Sequence, residues 1–446
     1  MAYNGKKGKS LFASMVDRLE GDKVVWIIMI MLVLISVVCM FSSTSRLLES
    51  GQTRVDIVQS QLKFVALGLG IVILCYNIKN VEFFRKLSLI MMPVSIILLL
   101  MLWVGINDVP NYRHYLIATP TLNGARRVIS IHGKQIHVLE IAKISMVMYM
   151  AWAMDAIKRK ALTWPKKEIL RKILYLYAPF LLVFIMALHS SNSAALIIGI
   201  IIFLMILIGG GSKRDLAIIL LAGILSVGIG VGLYSATKSM EHPLFERIGT
   251  GVSRVFKDID YEKQFLESKP NTEAYNVAKD YLQQGYSARI AIHEGGFFGK
   301  GPGQSTQRYI VPDMPSDYMY SFIIEEYGLW GGILVLALYV FLMARGAIIV
   351  RDSPDNLYIK MVIAGLCLLI VGQAFLHMLV NVDIGPMTGQ TLPMISHGNF
   401  AFLTFCFAFG VILSFSRQAR KKVDRETANA EPILESETSE NSEDGI

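Results

Sequence analysis

Cysteine is scarce in this chain: Cys39, Cys75, Cys367 and Cys406 are the four among 446 residues. All fall inside apolar runs, which excludes a disulfide framework and argues against a cysteine metal site. Charge is sparse too, at 17% Asp, Glu, Lys and Arg together, and segments 189–193 and 381–391 have no Lys or Arg. A Walker motif is missing. In the Gly-rich stretch 295–305, Glu294 stands where the first Gly should be, and Gly301 follows Lys300 in place of Ser or Thr. His293-Glu294 lacks the second His of a zinc-protease helix. What remains there is a tight turn whose amides and Lys300 can meet an anion. Internal repeats are absent as well, and the unequal loops argue against an inverted-repeat transporter.

Long hydrophobic runs are what the chain has in abundance. It is 53% hydrophobic, with a mean hydropathy of +0.49. Ten runs approach the length of a bilayer crossing: 24–41, 64–78, 87–104, 138–156, 173–188, 194–209, 216–234, 318–343, 361–380 and 393–415. They predict an all-α integral membrane protein of about ten transmembrane helices over 24–415. The second, fifth and sixth runs are short. No cleavage-site pattern follows the first run, so it reads as an uncleaved anchor after a cytoplasmic segment, 1–23.

Basic residues set the expected orientation. Lys6, Lys7, Lys9, Arg18 and Lys23 precede the first run, seven Lys and Arg lie between 158 and 172, and Arg417, Arg420, Lys421 and Lys422 follow the last. With ten alternating spans these fall on one side, which the positive-inside rule makes cytoplasmic together with both termini. The net charge of +8 is then topology, with no nucleic acid implied. The stretch 423–446 is acidic and rich in Ser, Glu and Asn; with the end of the last run it predicts a largely disordered cytoplasmic tail, 416–446.

Two external loops are long, 105–135 and 235–316, the larger lying between helices 7 and 8. Loops of such length usually carry function. The larger leads into Ser316-Asp317-Tyr318, at the mouth of the eighth run, with Glu325 and Glu326 deeper. An ionisable residue at membrane depth costs about 2.5–3.5 kcal/mol on insertion scales and marks a functional candidate. The bland alternative is that Asp317 caps the helix. The smaller loop ends in Arg126-Arg127, whose guanidinium groups suit phosphate, with snorkelling as the alternative. Glu140 and Lys143 share a helical face and can pair. Near the last run, Gly385, Pro386, Gly389 and Pro393 predict a re-entrant or broken start to the helix, with a polar pocket beside it.

Together these segments resemble the SEDS family of bacterial cell-wall polymerases, which includes FtsW and RodA. The resemblance spans about 24–415 and rests on several motifs: Gly299-Lys-Gly-x-Gly-Gln304, Ser316-Asp317-Tyr318, Glu325-Glu326-x-Gly328, Pro386-x-Thr388-Gly389-x-x-Leu392-Pro393-x-Ile-Ser396, Gly124-Ala-Arg126-Arg127 and Glu140-x-x-Lys143. The start, 19–45, is more similar to the FtsW branch, which favours septal over elongation duty. Three places depart from the family pattern: Ile136-His-Val-Leu-Glu140, His189-Ser-Ser-Asn-Ser193, which has no acid, and His397-Gly-Asn399.

The resemblance implies polymerisation of lipid II, a lipid-diphosphate-linked disaccharide, into peptidoglycan with inversion at the sugar. Asp317 is then the candidate base. Arg126, Arg127, Glu140, Lys143, Lys300, Glu325, Glu326, Thr388 and Ser396 are candidates for the substrate site, with a divalent cation, Mg or Mn, as an optional helper. The implied partners are a class B penicillin-binding protein transpeptidase, FtsI-like, and other division proteins at the septal inner membrane. Two rival readings are a lipid II flippase, which needs no base at the rim, and a non-catalytic scaffold.

Overall fold

The computed structural model describes residues 20–43, 54–109, 114–122, 125–236, 261–270, 272–311, 314–353, 355–384 and 388–420. Most of the N-terminal segment, the acidic tail from 423, much of the larger loop (237–260), Asn123-Gly124 and Pro386 lie outside the described residues.

Helices lie on every apolar run. In chain order they are α1 (Lys23–Ser43), α2 (Arg54–Asn77), α3 (Val81–Val104), α4 (Val138–Lys158), α5 (Glu168–Ser190), α6 (Asn192–Ile208), α7 (Lys213–Ala236), α8 (Tyr261–Glu267), α9 (Glu273–Gly295), α10 (Met314–Asp317), α11 (Met319–Asp352), α12 (Leu357–Asn381) and α13 (Asn399–Arg420). Among the described residues seven are long and apolar enough to cross a membrane: α1, α2, α3, α5, α11, α12 and α13. The second and fifth runs thus form full-length helices, α2 gaining its length from polar residues ahead of the apolar stretch. The sixth is a 17-residue helix. The protein is an all-α membrane protein.

The smaller loop is not irregular. Ile117–Ala118 (β1), Val128–Ile131 (β4) and Lys134–His137 (β5) form an antiparallel sheet, and Thr121–Leu122 (β2) pairs with Ala125–Arg126 (β3). β5 runs directly into α4, so this small sheet fixes where the first turn of α4 points.

α12 and α13 are the most enclosed of the candidate spans. α12 packs against α11, α4 and α6. Opposite the loops, ion pairs tie the helix ends: Arg85 to Asp155 at 2.9 Å, Lys172 to Asp215 at 3.0 Å and Arg345 Nε to Asp22 at 3.1 Å.

α11 is broken at Gly328 (φ 74°, ψ −175°), which leaves helical backbone groups to be satisfied elsewhere. The Gly-rich turn after α9 does this. Lys300 N donates to Glu325 O (2.9 Å), Gly301 N to Glu326 O (2.9 Å), and Leu329 N to Gly296 O (3.0 Å). Backbone lies on backbone: a Cβ on Gly299 (φ +80°) would sit 2.3 Å from Glu326 O. The anion-binding amides expected from sequence are therefore already engaged by helix carbonyls. Gly299→Ala is expected to destabilise the protein by at least about 2 kcal/mol, from left-handed strain and the clash together, read as a lower melting temperature in detergent.

Candidate functional site

Asp317 ends the short helix α10, and the N-cap of α11 is Tyr318, which makes no side-chain cap bond. The Asp317 side chain is half-buried and faces the segment 388–392. A Cβ built on Gly389 (φ +58°) would lie 3.6 Å from Asp317 Oδ2 and 3.4 Å from Arg127 Nη1. The carboxylate and the guanidinium thus both lie beside the same bare glycine.

A polar cavity of about 50 Å³ opens here, lined by Arg127, His137, Leu139, Glu140, Ser191, Gly389 and Gln390. That is room for a few waters and no more. Desolvation holds the His137 imidazole below its ordinary value, with Glu140 opposing and Lys143 and Arg127 adding to the fall, so it is neutral at neutral pH.

The two arginines separate. Arg126 Nε is bonded to Asp108 at 2.9 Å, and Asp108 also accepts from Thr121 N (2.8 Å) and Thr121 Oγ1 (2.7 Å). Burial would raise the Asp108 carboxyl, but the bonds from Thr121 and Arg126 hold it below the usual carboxylate range. Arg126 braces the loop; Arg127 faces the cavity.

Glu140 and Lys143 pair as their spacing implies, at 2.8 Å. The Lys143 ammonium is buried and also donates to Gln390 Oε1 (3.1 Å) and to Gln373 Oε1. Its three hydrogens are taken, leaving none for a diphosphate in this conformation. Thr388 contributes its carbonyl, which accepts from Ser193 Oγ at 2.9 Å. Ser396 is buried and ties the turn 392–396 to the segment before Asp317, donating to Ser316 O at 2.7 Å. The divergent segment 189–193 closes the cavity side: Ser191 lines it, and Ser193 accepts from Gln390 Nε2 at 3.1 Å.

Lys300, Glu325 and Glu326 form a second cluster. Glu325 and Glu326 are 0% and 1% exposed. Glu325 is bonded by Lys300 (3.0 Å) and by the amide and hydroxyl of Thr306 (2.8 and 3.0 Å). Glu326 lies 3.6 Å from Arg308 and accepts from Ser42. Arg308 in turn donates to Ser42 O at 2.9 Å. These acids clamp the larger loop onto α11 and the end of α1, and every named partner belongs to the chain.

Sequence reading missed Gln373, His377 and Asn381 on α12, all buried. Three polar residues four apart in an apolar run were the available signal. For a cation, no group of three or more His, Cys, Asp or Glu with suitable placement exists among the described residues. Glu140 is engaged by Lys143. Among the described residues, then, no acid at this mouth is grouped with others so as to hold a divalent ion.

Fold and site define a polytopic helical membrane protein with an acid–guanidinium pair at the mouth of its bundle. The family model for the cell cycle proteins FtsW, RodA and SpoVE matches residues 22–421, and the chain belongs to that family. It is 27% identical over 418 residues to a probable peptidoglycan glycosyltransferase FtsW of Enterococcus hirae, covering 90% of this chain and 95% of that one. Over 367 residues it is 25% identical to stage V sporulation protein E of Bacillus subtilis, covering 81% and 87%. Among solved structures, RodA of Thermus thermophilus shares the fold with a TM-score of 0.56 at 20% identity, over 90% of this chain and 98% of that one. A chain of a peptidoglycan synthase complex that coordinates polymerization and crosslinking has a TM-score of 0.61 at 18% identity, with the same coverage.

Gly389→Ala is expected to cut activity at least tenfold with little loss of membrane-inserted protein, because the methyl would enter between Asp317 and Arg127 in a backbone conformation costing about 1–2 kcal/mol. Reaction rate and insertion level, measured side by side, check it.

Proposed function

We propose that this chain is a peptidoglycan glycosyltransferase that polymerises lipid II, with Asp317 as general base and Arg127 on the departing diphosphate. The observation that carries the reading is the Asp317–Gly389–Arg127 arrangement. An acid and a cation flank one accessible backbone position, at the end of the bundle bearing the long loops.

Inversion at the donor sugar calls for one displacement. The acceptor's 4-hydroxyl oxygen attacks the donor's anomeric carbon as the bond to the diphosphate oxygen breaks. Asp317 takes the hydroxyl proton as the new bond forms. The diphosphate leaves with the bonding electron pair, and Arg127 stabilises that charge through bidentate hydrogen bonds. Neutral His137 is available as a hydrogen-bond partner beside it. Glu140 holds Lys143, and Lys143 holds Gln390, so the buried ion pair shapes the wall of the site.

The basic residues support ten crossings with both termini cytoplasmic; on that reading the mouth faces outward, where a flipped lipid-linked sugar arrives. The sequence start and the FtsW names of several relatives favour septal synthesis. Kinship with a chain of a complex that couples polymerization to crosslinking supports a class B penicillin-binding protein as partner.

Asp317→Asn is expected to lower glycan synthesis from labelled lipid II in membrane vesicles by about 10²–10⁴-fold, with expression and insertion unchanged. Near-normal polymer from this variant would remove the assignment, and translocation without polymer would favour a flippase. Arg127→Ala is expected to reduce turnover at least tenfold without lowering the melting temperature. Arg126→Ala, which loses only the Asp108 brace, should act mainly through the order of residues 108–126, read by hydrogen exchange.

A further inference from the structure

Gln373, His377 and Asn381 stand four residues apart on α12, so they lie on one helical face, and each is at most 1% exposed. Polar side chains inside a membrane helix are costly unless matched. Here each is matched to a different piece of the site. Gln373 accepts from Lys143 and donates through Nε2 to Thr391 O at 3.0 Å. His377 donates from Nδ1 to Gln390 O at 2.7 Å. Asn381 donates through Nδ2 to Asp317 O (3.0 Å) and His377 O (2.9 Å), and its Oδ1 accepts from Ser321 N at 2.9 Å.

Asn381 therefore does for α11 what Tyr318 does not. It satisfies a first-turn amide from a neighbouring helix and grips the carbonyl of the proposed base in the same stroke. Four residues earlier, His377 holds the backbone next to Gly389. One rigid helix face sets both sides of the gap in which Asp317 meets the acceptor.

We infer that this stripe positions the reacting groups, and that Asn381 is the positioning residue for Asp317, acting through its backbone without touching substrate. The inference rests on the reading of Asp317 as base. Displacements of about 1 Å at a reacting group cost on the order of 10²-fold in rate, so loosening this grip should appear in turnover.

The test uses the full chain in native membrane vesicles supplied with labelled lipid II, each rate taken as the difference from Asp317→Asn vesicles. Asn381→Asp keeps the shape and the acceptor for Ser321 N and, once ionised at the alkaline end of the assay range, has no hydrogen for Asp317 O; Asn381→Leu removes both. The expected result is a kcat lowered about ten- to a hundredfold, with KM for lipid II within about twofold, in protein that stays folded at the assay temperature although the lost bonds lower its melting point. Should Asn381→Leu fail to fold, Asn381→Asp decides alone. A parental kcat in Asn381→Asp, a loss expressed in KM, or a loss accounted for by the fraction unfolded at the assay temperature would overturn the assignment. No difference between the parent and Asp317→Asn would overturn the base reading beneath it, an outcome distinct from Asp317-dependent synthesis that Asn381→Asp leaves intact.

Discussion

Backbone that leaves helical geometry at membrane depth must find its hydrogen-bond partners within the protein, and this constraint shapes the whole loop-bearing end of the bundle. The chain breaks regular helix twice there, at Gly328 and over 388–398. The first break is closed by amides of the Gly-rich turn. The second is closed by side chains of α12, by Ser193 and by Ser396, whose Oγ accepts from Leu392 N. Both repairs reach α11 or the residues just before it, and Asp317 lies at that N-terminal end. The place of the carboxylate is thus a by-product of satisfying ordinary peptide groups.

Two polar clusters result, with different work. The Lys300, Arg308, Glu325 and Glu326 group is closed on itself and joins three chain segments. Buried ion pairs of this kind are weak as sources of net stability but severe when one partner is removed. The Asp317, Arg127 and Gly389 group keeps an accessible backbone position between its charges. Residues that looked alike by motif therefore divide into a closed clamp and the proposed reaction site.

Much of this was legible in the chain itself. Apolar run length located the helices, the i, i+3 spacing of Glu140 and Lys143 gave their pair, and the Gly and Pro residues of 385–393 marked the non-helical approach to α13. The sheet in the smaller loop was missed although Ile131-His132-Gly133-Lys134 is a two-residue hairpin signal between β4 and β5. The parting of Arg126 from Arg127 could not be read, because it depends on Asp108, eighteen residues away, reaching back across the loop. Nor could the engagement of the Gly-rich amides, since periodicity says nothing about which carbonyls a turn will meet.

The narrowness of the cavity beside Gly389 has a pharmacological side. A drug-sized compound usually needs a concavity of about 300–1,000 Å³ to bury itself, and this recess offers far less. On the proposed reading, inhibitors would do better to mimic a lipid-borne diphosphate along the membrane flank than to seek a plug for the mouth.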